Sequence, residues 1–89
     1  MIERPLKIEN RLGLHARAAA RFVELANEFR STVRLVKGNA RVDGKSILGL
    51  LTLAAARGTA LTLVVDGPDE GAAADRLAEL VRGRFGERE

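Results

Sequence analysis

Cysteine, tryptophan and tyrosine are absent from the 89-residue sequence, and histidine occurs once. Without cysteine the chain can form neither a disulfide bond nor a cysteine-ligated metal site. A single histidine also disfavours a zinc site, because zinc in proteins is held by three or four protein ligands. We therefore expect the protein to use no metal ion and no other cofactor.

Long hydrophobic runs are missing too, since no apolar stretch approaches the ~20 residues that a transmembrane helix needs. No segment has the pattern of a secretory signal peptide. The sequence therefore predicts a cytoplasmic protein without membrane insertion. With 46% hydrophobic and 30% charged residues the composition is that of a globular chain. We expect residues 1–89 to form a single domain with one modest core.

Aromatic residues are few, and the basic residues are not clustered. All three aromatics are phenylalanines, and their spacing suits a hydrophobic core. The net charge of +3 indicates anionic partners, but acidic residues are scattered among the basic ones. A nucleic-acid-binding surface combines clustered positive charge with exposed aromatics, so we expect no nucleic-acid partner.

The periodicity of apolar residues predicts the order strand, helix, strand, strand, helix, strand, helix. Alternating apolar and polar residues predict strands over residues 5–9, 31–37, 40–43 and 59–66. Helical spacing predicts helices that begin at Ala16, Ile47 and near Glu70, the second ending at Gly58 as its C′ residue. Gly83, Gly86 and residues 87–89 are expected to fray, whereas Phe85 is expected to lie on the buried side of the last helix. This order is typical of an α+β fold with helices on one face of a mainly antiparallel sheet.

The stretch from residue 10 to residue 23 contains no aspartate or glutamate, although it includes the start of the first predicted helix. Helix N-termini favour acidic residues because that end of the macrodipole is positive. Here the first turn carries Arg17 instead, directly after His15. A local rule that is broken without structural gain indicates a functional site.

If His15 caps this helix, the backbone N–H groups of Ala16, Arg17 and Ala18 have no intrahelical acceptor. Free amides at the positive end of a helix form an anion site, and the Arg17 guanidinium can hold phosphate oxygens bidentately. Positive surroundings favour the neutral imidazole, which is a nucleophile. The pattern therefore predicts that the ring of His15 is itself phosphorylated.

The sequence shows no carboxylate near His15 to orient the ring, and no metal site for activating water. The chain is also too short to bind and activate its own phosphoryl donor. We therefore expect an intermediary that carries a phosphoryl group rather than a stand-alone enzyme. The alternative is a solvated histidine at a helix start with incidental arginines nearby.

Residues 47–53 contain more apolar side chains than a short helix with one buried face can cover. We expect Ile47, Leu48 and Leu51 to form an exposed partner-binding patch with Arg17 and Arg21 at its rim. Deep packing of the whole helix is the alternative. Ser46 directly precedes this helix and is suited to cap its N-terminus.

Two motifs carry a resemblance to a known family. Gly13-Leu14-His15-Ala16-Arg17 resembles the active-site motif of HPr, the histidine-containing phosphocarrier family of the bacterial phosphoenolpyruvate-dependent phosphotransferase system. Residues 44–54 resemble the regulatory-serine helix of that family, at a similar spacing. The resemblance implies an α+β open-faced β-sandwich of order βαββαβα. Its four-stranded antiparallel sheet would have the order 1-4-2-3, with three helices on one face.

The resemblance also implies a reaction and partners. His15 would accept a phosphoryl group on Nδ1 from Enzyme I, itself phosphorylated from phosphoenolpyruvate, and pass it to a histidine of an enzyme IIA domain. Arg17 would steady the phosphate, and Arg21, Ile47, Leu48 and Leu51 would contact the partners. The purpose would be sugar uptake or phosphotransferase-linked regulation. We expect a monomer.

Two features leave alternatives open. Ala18 stands where many sugar-system members have proline, which resembles the nitrogen-related branch, NPr. By resemblance, Ser46 would be phosphorylated by an HPr kinase/phosphorylase. A regulatory binding module, controlled through Ser46 and without phosphoryl transfer through His15, is the alternative function.

Overall fold

Four strands and three α-helices follow one another in the computed structural model, which describes all residues from Met1 to Glu89. The strands are β1 (Ile2–Lys7), β2 (Thr32–Lys37), β3 (Ala40–Asp43) and β4 (Ala60–Asp66). The helices are α1 (Ala16–Ala26), α2 (Ile47–Thr52) and α3 (Glu70–Arg82), and a short 3-10 turn covers Arg84–Gly86. The predicted order of elements is confirmed.

The strands form one antiparallel sheet in the order β1-β4-β2-β3. Strand β4 lies in the interior of the sheet, between β1 and β2. Alternate residues of a strand share a face, and Leu61, Leu63 and Val65 of β4 are all buried. The expected α+β class and the sheet order 1-4-2-3 are confirmed.

The hydrophobic core lies between one face of the sheet and the helices. Buried apolar residues of α1 recur at helical spacing, as the sequence predicted, and Phe22 is fully buried among them. Leu77 of α3 and Leu50 of α2 are also fully buried in the same cluster. Each such side chain contributes roughly 1.5–3 kcal/mol when it is removed from water. This core fixes the start of α1 relative to α2.

The end of α2 differs from its prediction. Leu53 is the C-cap residue, and the next residue, Ala54, takes a left-handed φ of 50°. The expected C′ residue, Gly58, instead lies in the turn before β4, where its N–H donates to the Ile8 carbonyl at 2.7 Å. The prediction was wrong because it relied on the general preference for glycine at the C′ position, which favours Gly58. Tertiary contacts instead impose the left-handed conformation on Ala54, at a cost of about 1 kcal/mol.

The boundaries of β1 also differ from the prediction. β1 starts at Ile2, earlier than predicted, and accommodates Pro5 because an edge strand does not need every N–H for pairing. α1 ends at Ala26, so Phe29 packs against the core from the following loop. Residues 83–89, here called the tail segment, do not fray. Phe85 is buried, and the Arg11 N–H donates to the Glu89 carbonyl at 2.8 Å.

A carboxylate joins the start of β2 to the start of α3. Asp69 Oδ1 accepts from the Ser31 hydroxyl at 2.5 Å and from the Ser31 N–H at 2.9 Å. Asp69 Oδ2 accepts from the Arg30 N–H at 2.9 Å. These hydrogen bonds, the Ser31 hydroxyl first among them, lower the pKa of Asp69 from its ordinary 3.8 to about 2.

The stability of the fold should therefore depend on the ionisation of Asp69. A depressed folded-state pKa stabilises the protein above the unfolded-state value near 3.8, and this contribution disappears as the pH falls toward 2. We expect Asp69→Asn to lower the urea midpoint at pH 7, with the difference from wild type shrinking between pH 4 and pH 2. Asp75→Asn is the control, because Asp75 forms a surface pair with Arg4. A difference for Asp69→Asn that is constant with pH would contradict this prediction.

Candidate functional site

His15 is positioned by the turn that precedes α1. Gly13 adopts a φ of 69°, and a Cβ at this position would lie 2.5 Å from the Ala55 carbonyl oxygen. The next N–H, of Leu14, donates to that same oxygen at 2.9 Å. The turn is thus pressed against the loop after α2, which only glycine permits here. His15 follows in extended conformation as the N-cap residue of α1.

The first turn of α1 leaves backbone donors free. The first helical hydrogen bond runs from the Ala19 N–H to the His15 carbonyl at 2.8 Å. The N–H groups of Ala16, Arg17 and Ala18 have no acceptor within the protein, no side chain caps the helix, and the first turn contains no acid. This end of α1 therefore combines three free donors with the positive pole of the helix dipole.

A carboxylate from the other end of the chain contacts His15. Glu87 Oε2 lies 2.5 Å from the Nε2 atom of His15, and Glu87 Oε1 accepts from the Asn10 amide at 2.9 Å. Asn10 is fully buried and also donates to the Gly13 carbonyl at 2.7 Å. The expectation that no carboxylate orients the ring was wrong, because folding brings residue 87 to a stretch that is acid-free only in sequence.

The Glu87 carboxylate is held in its ionised form. Burial alone would raise the pKa of Glu87, but other interactions outweigh it. Hydrogen bonds from Asn10 and His15, with the charges of His15 and Arg21, hold this pKa below its ordinary value. A carboxylate that accepts hydrogen bonds from two side chains is fixed in orientation as well as in charge.

The tail segment is anchored on both sides of Glu87. Phe85 is buried in the core, and the Arg21 guanidinium donates to the Phe85 carbonyl. Beyond Glu87, the side chain of Arg11 pairs with Glu89 at 2.8 Å. The sequence holds one signal for this arrangement. Phe85 was expected to be buried. Since Phe85 lies two residues before Glu87, its burial keeps the Glu87 carboxylate close to the domain.

Arg17 is exposed, and its guanidinium forms no hydrogen bond or ion pair within the protein. It lines a shallow cavity of about 290 Å³ together with Arg11, Arg88 and Glu87. Arg21, by contrast, is engaged with the tail segment, so its expected place at the rim of a docking patch stays a prediction. Arg17 therefore supplies the free guanidinium beside His15.

Helix α2 divides its leucines between the core and solvent. Leu50 and Leu53 are buried, Leu51 is half-buried, and Ile47 and Leu48 are 41% and 77% exposed. The alternative of a deeply packed helix is thus wrong for the last two. Sequence reasoning missed Leu12, which is 60% exposed. It lines a shallow depression that also includes His15 and Leu14.

Ser46 caps α2 as predicted. Its hydroxyl oxygen accepts a hydrogen bond from the Gly49 N–H at 3.0 Å. The side chain is partly exposed, and it directly precedes the exposed residues Ile47 and Leu48. A negative charge placed on Ser46 would therefore lie next to this apolar surface.

No group of three or more His, Asp and Glu side chains is placed to hold a metal ion. None of the helices combines the length and the hydrophobicity that crossing a membrane requires.

Comparison with known proteins identifies the family. Residues 2–83 match the family described as "PTS HPr component phosphorylation site". The chain belongs to the HPr family. The phosphocarrier protein HPr of Neisseria meningitidis is 48% identical over 89 residues, which is 100% of both chains. The phosphocarrier protein NPr of Shewanella violacea is 42% identical over 86 residues, covering 97% of this chain and 94% of the relative.

Solved structures show the same fold. The crystal structure of HPr-C-His from Thermoanaerobacter tengcongensis matches with a TM-score of 0.96 at 39% identity, covering 100% of both chains. An HPr dimer from the same organism matches with a TM-score of 0.78 at 40% identity, covering 98% of this chain and 100% of that chain. The expected monomer therefore stays a prediction.

Membership of the HPr family gives this chain a phosphocarrier role in the phosphotransferase system. The resemblance inferred from the motifs around His15 and Ser46 is thereby confirmed. Relatives called HPr and NPr both match nearly the whole chain, so similarity does not separate the sugar-linked from the nitrogen-related branch. Neither does Ala18, whose side chain is buried in α1.

Proposed function

We propose that His15 accepts a phosphoryl group on Nδ1 from phosphorylated Enzyme I and passes it to a histidine of an enzyme IIA domain. One observation carries the proposal: the histidine stands at a helix N-terminus whose first three N–H groups are free. Nδ1 makes no hydrogen bond within the protein, whereas Nε2 contacts Glu87. The nitrogen that would attack is therefore unoccupied.

Phosphoryl transfer at this site would depend on positioning and electrostatics. The Nδ1 lone pair forms the new bond to phosphorus as the bond from phosphorus to the donor nitrogen breaks. The transferred oxygens can accept from the N–H groups of Ala16, Arg17 and Ala18 and from the Arg17 guanidinium. Because the reaction exchanges one histidine for another, little chemical driving force is needed, and preorganised donors supply the catalysis.

The exposed apolar surface of α2 would dock both partners. Ile47 and Leu48 are exposed, and Leu51 is half-buried. Isolated exposed apolar side chains are common, but neighbouring ones that form a patch mark an interaction site. Leu12 is exposed at the depression that contains His15, which residues 54–56, just after α2, also line. Arg17 and Arg21 would provide a basic rim.

The proposed function can be tested with purified components. The protein is incubated with phosphoenolpyruvate and either a sugar-type or a nitrogen-type Enzyme I. We expect an acid-labile phosphate on the protein with at least one of them, and its loss when an enzyme IIA domain is added. The more efficient Enzyme I would identify the pathway. Failure of both donors to label the protein would refute the proposal.

We further propose that Ser46 is the target of an HPr kinase/phosphorylase and that its phosphorylation weakens docking. Aspartate at this position can still cap α2, but it places a negative charge beside Ile47 and Leu48. We expect Ser46→Asp to accept phosphate from Enzyme I about 10-fold more slowly, the equivalent of about 1.4 kcal/mol. Ser46→Asn keeps the cap without the charge and should behave like wild type. Equal rates for the two variants would argue against charge-based regulation.

A further inference from the structure

The contact between Glu87 and His15 has a geometry suited to a role in the reaction. The carboxylate bridges Asn10 and His15, one oxygen to each, at 2.9 and 2.5 Å. Its side chain is 15% exposed and that of His15 is 26% exposed, so solvent competes little for the contact. We propose that Glu87 is a positioning residue for phosphoryl exchange at His15. This inference rests on the proposed function and deepens it.

The contact determines which ring nitrogen carries the proton. An ionised carboxylate is an acceptor only, so Nε2 must donate the proton in this hydrogen bond. A neutral imidazole has one N–H group, and a proton on Nε2 leaves the lone pair on Nδ1. Glu87 thus selects the tautomer in which Nδ1 is the nucleophile. Without it, the proton would be free to occupy Nδ1 and block the attack.

The Glu87 carboxylate also contacts the ring that becomes positively charged when His15 accepts the phosphoryl group. When Nδ1 bonds to phosphorus, His15 keeps its Nε2 proton, so its ring becomes cationic. The donor ring, protonated on its own second nitrogen, leaves as a neutral imidazole. No proton has to be transferred, and one positive charge moves from the donor ring to His15. Glu87 stabilises that charge across a short hydrogen bond.

The other charged groups at this end of the domain make this stabilisation necessary. Arg17 and Arg21 of α1, with Arg11 and Arg88 around the cavity, are all positive. They suit the phosphate but oppose a cationic ring. Glu89 is the other nearby acid, and it pairs with Arg11. Because Glu89 is paired elsewhere, Glu87 is the acid that can offset the positive charge of the ring through direct contact with His15.

The position of Glu87 is built by the fold. The fully buried Asn10 side chain donates one hydrogen bond to the Gly13 carbonyl and another to Glu87. It thereby links the turn that sets His15 to the carboxylate that orients its ring. Phe85 and its bond from Arg21 fix the backbone just before Glu87. A carboxylate held in this way loses little further entropy when the ring becomes charged.

Three variants test this contact. Glu87→Gln has one acceptor oxygen for two donors, and with that oxygen on the buried Asn10 amide its NH2 group faces Nε2 as a donor. Glu87→Ala removes the contact altogether, and Glu79→Gln changes an exposed acid on α3. The ¹⁵N chemical shifts of His15 are recorded in the unphosphorylated proteins at a pH where the ring is neutral. We expect wild type and Glu79→Gln to be protonated on Nε2, Glu87→Gln to be shifted towards protonation on Nδ1, and Glu87→Ala to show a mixture.

The rate of phosphoryl acceptance from Enzyme I is measured on the same samples. We expect Glu87→Ala to be roughly 10- to 100-fold slower, as for the loss of a hydrogen bond to a charged group. Glu87→Gln should be at least as slow as Glu87→Ala, and Glu79→Gln should be close to wild type. An unchanged rate in Glu87→Ala, or an unchanged tautomer, overturns the inference. If wild type accepts no phosphate, the proposed function fails, while the ¹⁵N shifts still decide whether Glu87 sets the tautomer.

Discussion

A His15→Ala protein is expected to fold normally and to take up no acid-labile phosphate from phosphorylated Enzyme I. His15 is the single histidine of the chain, so no other imidazole can replace it. Its side chain makes no capping hydrogen bond to α1, and the helix therefore loses no cap. The variant does lose the hydrogen bond between Nε2 and Glu87, so we expect its free energy of unfolding to fall by about 1–2 kcal/mol. Acid-lability of the label and a urea titration measure the two effects.

Labelling of His15→Ala would have two meanings that chemistry can separate. An acid-labile phosphate on the variant would exclude His15 as the acceptor. An acid-stable phosphate would indicate a hydroxyl, and Ser46→Ala would show whether it is that serine. If His15→Ala still binds regulatory partners as tightly as wild type does, and wild type itself takes up no phosphate, a binding module is favoured over a carrier.

Arg17→Ala should accept phosphate more slowly than wild type but should still be labelled, because the amides of the first turn remain.

A Leu48→Asp protein is expected to keep its fold and to lose most of its transfer to and from partners. Leu48 is 77% exposed and contributes little to the core. In a docked complex the new carboxylate would be buried without a partner, which costs several kcal/mol. Loss of a central contact of about 2–4 kcal/mol corresponds to roughly 30- to 1,000-fold in affinity. We expect rates with limiting Enzyme I or enzyme IIA to fall by a similar factor.

The matched control for this variant is Ala72→Asp, which adds the same charge to an exposed position of α3. It should transfer phosphate like wild type. If Leu48→Asp and Ala72→Asp react at equal rates, the exposed surface of α2 is not the docking site. If raising the partner concentration restores the rate of Leu48→Asp, the defect lies in binding rather than in the chemistry at His15. Unfolding curves for both variants exclude a loss of the fold as the cause.

Features that depend on near neighbours in sequence were determined by the sequence itself. Apolar periodicity gave the order of the elements, because a strand and a helix each repeat their buried positions at a fixed interval. His15 at the N-cap of α1 and Ser46 at the N-cap of α2 followed from local rules for helix starts. The order of the strands came from the family resemblance, since local patterns do not encode which strands pair.

Only the tertiary structure decided the contacts between distant parts of the chain. Glu87 lies 72 residues from His15, and no local pattern distinguishes it from a solvated acid in a fraying end. Ala54, rather than Gly58, takes the left-handed conformation that follows α2, and Gly58 lies in a later turn. Tertiary packing here overrides the preference for glycine at such positions. The core likewise buries Leu50 and leaves Leu48 outside. The sequence thus specified the proposed nucleophile, while the tertiary fold supplied the carboxylate in contact with it and the exposed surface of α2, because both depend on which distant segments pack together.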